Sequence, residues 1–152
     1  MILTQILKPA CIKVPLQGKN KEAVITELVD ILNAEGAIQD RDGVLQAVLA
    51  REMIRSTGIG SGIAIPHGKC TGVRELVMAI GISPQGVDFQ SIDEKPVYIV
   101  VMLASPIDKT GPHIQALARI SRLMLDEDFK NKIQFSTSAQ QLYELISSKE
   151  SE

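Results

Sequence analysis

The sequence predicts an α/β fold in a single domain, 1–152, with one central β-sheet that helices flank on both faces. Segments with helical spacing of apolar residues alternate with short runs that are apolar along most of their length. Such runs are typical of strands that are buried on both faces. The chain has 152 residues, of which 45% are hydrophobic. A domain of this length buries roughly 68–70% of its unfolded surface.

Two amphipathic helices are predicted in the first third of the chain. Asn20 is a suitable N-cap for a helix over 21–35, and Gly36 stands where a helix ends. A second helix begins after Asp40 or Asp42, which are also capping residues. In both segments the apolar residues keep helical spacing. They are Val24, Ile25, Leu28, Val29 and Leu32 in the first helix, and Val44, Leu45, Val48, Leu49 and Met53 in the second.

Three strands are predicted in the middle of the chain. They cover 63–65, 76–82 and 97–103, which are apolar along most of their length. After the second strand we expect a turn at Ser83-Pro84-Gln85-Gly86, because serine, proline and glycine are typical turn residues. The three strands supply the buried sheet of the predicted fold.

Further helices are predicted in the last third of the chain. One opens at Gly111-Pro112-His113, because proline is well suited to a first helical position. A short helix covers 127–135, and Ser138 with Gln141 forms a capping box for a last helix. In the first of these helices, Ile114, Leu117, Ala118, Ser121 and Leu125 follow at helical intervals.

Composition argues against several classes of function and location. The net charge is −2 without a block of like charge, and only 3% of residues are aromatic, so we expect no nucleic-acid partner. The longest apolar run, 97–104, is shorter than the ~20 residues of a membrane span, so we expect no membrane insertion. Two cysteines and an N-terminus without signal-peptide features indicate a cytoplasmic protein.

The most informative segment is the run STGIGSGIAIPHGK over 56–69, which ends in His67 between a proline and a glycine. Histidine forms covalent intermediates, and its unperturbed pKa near ~6.5 leaves the ring neutral and nucleophilic at pH 7. The glycines lack the flanking elements of a dinucleotide fingerprint and the spacing of a phosphate-binding P-loop. We therefore interpret His67 as the leading functional residue.

A second histidine and nearby cations suggest an anion site. His113 is expected in the first turn of a helix, where backbone N–H groups favour anions. Together with His67 it suggests a place where a phosphate-like anion meets an imidazole. Arg51, Arg55 and Lys69 are the candidate charged donors, and for each of them a plain surface position stays open.

A zinc site is the alternative for the same segment. His67, Cys70, His113 and Cys11 are all possible ligands, and the first two have a plausible local spacing. The sequence offers no second ligand pair with metal-site spacing. We therefore expect no metal and no cofactor.

The motifs Ala50-Arg51-Glu52, 56–60, 62–69 and His113 together resemble the IIA component of the bacterial phosphotransferase system, in its fructose/mannitol class with the nitrogen-regulatory IIA proteins. The resemblance covers nearly the whole chain. It implies an α/β fold with a central mixed sheet and the activity of a phosphotransferase with a phosphohistidine intermediate. It also implies that His67 accepts the phosphoryl group on Nε2, that His113 orients and stabilises it, and that Arg51 helps to hold it.

The resemblance also implies partners. They are an HPr-like phosphocarrier as donor, and a IIB domain or regulatory targets such as a kinase or transporter downstream. Because the sequence contains no fused IIB, IIC or HPr-like domain, we expect the nitrogen-regulatory branch. A separate fructose/mannitol-type sugar-transport IIA stays open, and so does a regulatory docking module without a phosphorylation cycle.

Overall fold

The computed structural model describes residues 2–152, which form a short 3-10 helix, six strands and five α-helices. The strands are β1 (Leu7–Lys13), β2 (Gly58–Gly60), β3 (Ile63–Ala64), β4 (His67–Lys69), β5 (Val77–Val87) and β6 (Val97–Ser105). The helices are α1 (Lys21–Ala34), α2 (Arg41–Ile54), α3 (Thr110–Leu123), α4 (Glu127–Gln134) and α5 (Ala139–Glu150). Within this range no helix combines the length and the hydropathy that crossing a bilayer requires.

The strands form one mixed sheet in the order β1-β5-β6-β3-β2, and β4 also pairs with β6. The central pair, β5 and β6, is antiparallel, whereas β1 runs parallel to β5. Both β3 and β4 run parallel to β6, where His67 lies opposite Leu103. The mixed sheet that the resemblance implied is therefore confirmed.

Helices cover both faces of the sheet, as the apolar runs predict. Alternate residues of β6 point to opposite faces, as expected for a strand. Ile99, Val101 and Leu103 pack in the core beneath α3, α4 and α5. Val100, Met102 and Ala104 pack in the core beneath α1 and α2. A strand buried on both faces needs apolar residues at every position, which explains the continuous run.

The predicted helix caps are observed. Asn20 Oδ1 accepts a hydrogen bond from the backbone N–H of Ala23, 2.8 Å away, and α1 begins at the next residue after Asn20. Asp40, rather than Asp42, caps α2. Ser138 Oγ accepts from the N–H of Gln141 at 3.1 Å and starts α5, but Gln141 Oε1 accepts from the N–H of Thr137 at 2.8 Å, so only the Ser138 half of the predicted capping box forms. These caps satisfy backbone donors that a helix N-terminus leaves free.

The predicted turn at 83–86 is wrong, because β5 continues to Val87. Ile82 pairs with Ile99 and Val87 pairs with Val97. Residues 83–86 of β5 therefore lie opposite a single residue of β6, Tyr98. The segment is a bulge within the β5–β6 pair, which explains its turn-like composition. The edge strand β1 was not predicted, because Pro9 interrupts its apolar pattern. An edge strand tolerates proline, since one side of its backbone is unpaired.

The predicted apolar face of α3 is wrong except for Leu117, which packs against the core. Ile114 is 58% exposed and Leu125, beyond the helix, is 80% exposed. The residues that face the sheet are His113, Ala116 and Ile120. A buried histidine occupies a core-facing position of α3. Assigning the buried face from apolar residues alone therefore places the wrong side of the helix against the sheet. The helix also begins earlier than predicted, which makes Pro112 its third residue.

Gly68 allows α2 to pack directly on β4. A Cβ atom at this position would lie 3.0 Å from the backbone carbonyl carbon of Ala47 and 3.0 Å from the backbone nitrogen of Val48. Both atoms belong to the α2 backbone, which cannot move aside as a flexible side chain can. The close contact places the last turn of α2, with Arg51, beside the strand that begins with His67.

Replacing Gly68 with alanine is expected to lower the free energy of unfolding by about 1–3 kcal/mol, the usual cost of overpacking. Gly111→Ala is the matched control, because a Cβ atom at Gly111 has no neighbour within 4 Å. It should leave stability unchanged or raise it by up to about 1 kcal/mol. Urea denaturation measures both. Equal stability of the two variants would contradict a tight contact between α2 and β4.

Candidate functional site

The ring of His67 has a defined orientation and a defined tautomer. His67 is the first residue of β4 and is half-buried, whereas the sequence placed it at the end of a loop. Its Nδ1 lies 2.8 Å from the carbonyl oxygen of Ile65. A carbonyl oxygen only accepts hydrogen bonds, so Nδ1 carries the proton and donates. The lone pair on Nε2 is therefore available for reaction.

The structure brings the second histidine against the first. The ring centroids of His67 and His113 are 5.2 Å apart, and the ring planes meet at 62° in an edge-to-face arrangement. His113 is the fourth residue of α3 and is only 3% exposed. Its Nδ1 is buried and has no hydrogen-bond partner within residues 2–152. The pair thus joins the end of the first turn of α3 to the start of β4.

Burial keeps both rings neutral at pH 7. It is the main cause that lowers the pKa of His113 to about 4, followed by the nearby charges of His67 and Lys69. Burial is also the main cause that lowers the pKa of His67, with Arg51 and Lys69 acting in the same direction. The Ile65 carbonyl and the charge of Glu52 oppose this shift. Neutral imidazole is the nucleophilic form.

Two of the three candidate cations lie at the histidine pair. Arg51, in the last turn of α2, donates from Nη1 to the carbonyl of Arg55 at 2.8 Å. Lys69 Nζ donates to Thr110 Oγ1 at 3.0 Å and so links β4 to the start of α3. The exposed side chain of Arg55 instead lines an open groove between α1 and α2. A guanidinium has five N–H groups, so Arg51 retains donors for an anion.

The cysteines lie on the other side of the sheet from the histidine pair. Cys11 and Cys70 pack with the core beneath α1 and α2, whereas His113 belongs to α3 on the opposite face. Burial, followed by the charge of Glu35, raises the pKa of the Cys11 thiol. Across residues 2–152 no three His, Cys, Asp or Glu side chains are placed to share a metal ion.

Glu52 is a buried residue of this region to which the sequence analysis assigned no role. It is 5% exposed, and its carboxylate accepts hydrogen bonds from the backbone N–H of Thr57 at 3.0 and 3.1 Å and from Thr57 Oγ1 at 3.1 Å. Lys21 Nζ forms an ion pair with it at 3.5 Å. A signal was present in the sequence: Glu52 continues the four-residue spacing of Val44 and Val48, the other buried residues of α2.

These groups form a site that can receive an electrophile carrying negative charge. His67 supplies a nucleophilic nitrogen, Arg51 and Lys69 supply positive charge, and His113 supplies a second, neutral ring. Phosphoryl transfer depends on such positioning and on electrostatic stabilisation of oxygen atoms. The fold and the site therefore define an α/β protein with a pair of neutral histidines beside two cations.

Residues 5–149 match the family described as "Phosphoenolpyruvate-dependent sugar phosphotransferase system, EIIA 2", and the chain belongs to this family. It is 37% identical over 146 residues to the PTS system fructose-specific EIIABC component of Bacillus subtilis, a match that covers 96% of this chain and 23% of that protein. The chain thus spans less than a quarter of the length of this relative.

Nitrogen-regulatory proteins are matched along nearly their whole length. The nitrogen regulatory protein of Bradyrhizobium diazoefficiens is 33% identical over 146 residues, which are 96% of this chain and 95% of that protein. The crystal structure of nitrogen regulatory protein IIA-Ntr from Neisseria meningitidis superposes with a TM-score of 0.86 at 27% identity, covering 93% of this chain and 97% of the other. These similarities confirm the resemblance and the fold class that the sequence indicated.

Both rings are expected to titrate below 6.5, the ordinary pKa of histidine. His113 should stay neutral until the pH approaches about 4. Because unfolded histidine binds its proton near ~6.5, acidification from there to about pH 4 favours the unfolded chain and lowers stability. NMR of ring signals measures both pKa values. A His113 that titrates near 6.5 would show that its ring is solvated.

Proposed function

We propose that the protein is a phosphohistidine carrier of the phosphotransferase system that accepts a phosphoryl group on His67 Nε2 from an HPr-like carrier. The observation that carries this proposal is the 2.8 Å hydrogen bond from His67 Nδ1 to the carbonyl of Ile65. It leaves Nε2 as the free nucleophile beside a second histidine and two cations. Family membership supports the same role.

The transfer is an exchange between two imidazole rings. The Nε2 lone pair of His67 attacks the phosphorus of the donor's phosphohistidine, a new N–P bond forms, and the donor's N–P bond breaks with its electron pair returning to the donor ring. The proton on His67 Nδ1 stays in place. The Ile65 carbonyl, 2.8 Å from that nitrogen, stabilises the positive charge that develops on the ring. Because nucleophile and leaving group are the same kind of ring, the equilibrium stays near balance.

Charge on the phosphoryl oxygens is the main requirement of such a transfer. We assign Arg51 to hold these oxygens, and hydrogen bonds to charged groups contribute about 1.5–3 kcal/mol each. His113 orients the phosphoryl group and contacts it from α3. Once the dianion is present, it should raise the pKa of His113, because a nearby negative charge favours the protonated ring.

The nitrogen-regulatory branch is the proposed subfamily, acting in the cytoplasm on regulatory targets such as a kinase or transporter. The Bradyrhizobium and Neisseria proteins support it, since both carry that name and are matched along nearly their whole length. The Bacillus fructose-specific protein, at 37% identity, supports the second candidate, a transport IIA that passes phosphate to a IIB domain. Transfer to a purified IIB domain would favour the second candidate.

Incubation with Enzyme I, HPr and phosphoenolpyruvate is expected to add one acid-labile phosphoryl group, detected by intact-protein mass spectrometry. His67→Ala should show no addition, because it lacks the accepting nitrogen, whereas His113→Gln should be modified more slowly. An unmodified wild type, or equal modification of His67→Ala, would contradict the proposal. A partner whose affinity does not change with His67→Asp would instead favour a docking module.

Replacing Arg51 with glutamine is expected to slow phosphorylation about 10- to 100-fold, which corresponds to the loss of one charge-assisted hydrogen bond. Arg55→Gln is the matched control, because only the backbone carbonyl of Arg55 contacts Arg51 and its side chain is exposed. Rates are measured by rapid quenching under single-turnover conditions. If both variants are slowed equally, net charge rather than the Arg51 guanidinium is responsible.

A further inference from the structure

A continuous hydrogen-bond path connects the buried carboxylate of Glu52 to the ring of His67. Glu52 accepts from the N–H of Thr57, and the carbonyl of Thr57 accepts from the N–H of Ile65 at 3.1 Å. The carbonyl of Ile65 in turn accepts from His67 Nδ1 at 2.8 Å. Two residues, Thr57 and Ile65, therefore separate the carboxylate from the imidazole.

A charged group buried at the position of Glu52 must have hydrogen-bond and ion-pair partners, and the structure provides them. The side chain of Glu52 is only 3% exposed, and an unpaired buried carboxylate is strongly destabilising. Thr57 donates to it through both its backbone and its hydroxyl group. Lys21 lies 3.5 Å away and is itself fixed by a 2.9 Å hydrogen bond to Gln90. Thr57 and Lys21 therefore hold the Glu52 carboxylate in a fixed position.

The backbone of Thr57 is held on both sides of its Cα atom. Its N–H points to Glu52 in α2, and its carbonyl points to the segment between β3 and β4. Buried hydrogen-bond networks whose members are all paired are rigid. Movement of Thr57 would therefore shift Ile65, whose carbonyl determines which nitrogen of His67 carries the proton.

We propose that Glu52 is a positioning residue for phosphoryl acceptance: through Thr57 and Ile65 it holds the carbonyl that keeps the proton of His67 on Nδ1 and the lone pair on Nε2. The effect on phosphorylation rests on the proposed function, whereas the tautomer of His67 can be measured without any phosphoryl transfer. Other charged or titratable groups that act on the His67 ring are Arg51 of α2, Lys69 of β4 and His113 of α3. None of these three contacts the Ile65 carbonyl.

Glu150 provides a matched control for the loss of a buried carboxylate. Its side chain is also 3% exposed, it accepts from the backbone N–H groups of Leu3 and Thr4 at 2.7 and 3.1 Å, and it pairs with Arg119 at 3.3 Å. It thus matches Glu52 in burial, in binding backbone donors and in having a cation nearby. Because Arg119 lies in α3 with His113, the control also reports on any disturbance of that helix.

The experiment compares Glu52→Gln with Glu150→Gln by ¹⁵N NMR of the histidine rings and by single-turnover phosphorylation. In Glu52→Gln we expect His67 to populate both neutral tautomers and its pKa to fall. We expect phosphorylation to be slowed roughly tenfold, the lower end of what losing a partner that orients a functional histidine costs. Glu150→Gln should lose stability but keep the wild-type ring signals and rate.

The outcomes separate the two proposals. Unchanged His67 ring signals in Glu52→Gln would overturn the positioning role, whatever the rate. A tautomer change in a protein whose wild type accepts no phosphoryl group would support the positioning role and overturn the proposed function. If Glu52→Gln does not fold, Glu52→Asp decides, because it keeps the charge but withdraws it from Thr57. Wild-type ring signals in Glu52→Asp would then overturn the positioning role.

Discussion

The hydrogen bond from His67 to the carbonyl of Ile65 is the interaction on which the site depends, and the sheet makes it available. β3 and β4 pair with β6 in one continuous register, so they are two parts of a single interrupted strand. The interruption falls at Ile65 and Pro66, and proline has no N–H for a ladder. The carbonyl of Pro66 accepts from Leu103 at 3.1 Å, which keeps the strand attached to β6. The carbonyl of Ile65 is then directed to the imidazole instead of to a neighbouring strand.

Several electrostatic effects act on the two rings, and burial is the largest of them. It lowers both pKa values, and the flanking cations act in the same direction, so positive charge lies beside two uncharged rings. Protonated rings would attract phosphate more strongly, but a protonated His67 would have no lone pair with which to form a bond. The arrangement therefore assigns positive charge to Arg51 and Lys69 and keeps nucleophilicity for the imidazole.

Local signals in the sequence predicted much of the fold, because caps and buried strands are recorded in adjacent residues. Asn20, Asp40 and Ser138 begin helices where their side chains predict. The continuous apolar run of β6 indicated a sheet covered on both faces. Two features of the fold depend on contacts between segments that are distant along the chain, so the sequence could not reveal them. The bulge before Val87 is defined only by pairing with β6. The orientation of α3 follows from the burial of a polar residue, His113. The spacing with Val44 and Val48 indicated that Glu52 is buried, but it could not show that Thr57 and Lys21 lie beside its carboxylate.

The alternation of side chains along β4 explains how α2 and α3 both come close to His67. His67 and Lys69 point towards α3, where they contact His113 and Thr110, while Gly68 between them points towards α2 and allows its backbone to approach. A larger residue at the middle position would separate α2 from the strand and withdraw both Arg51 and Glu52. Within residues 2–152, β4 pairs with β6 on one side and forms an edge of the sheet on the other. A nucleophile at such an edge suits the transfer between proteins that we propose, in which the donor ring approaches in line with the Nε2 lone pair.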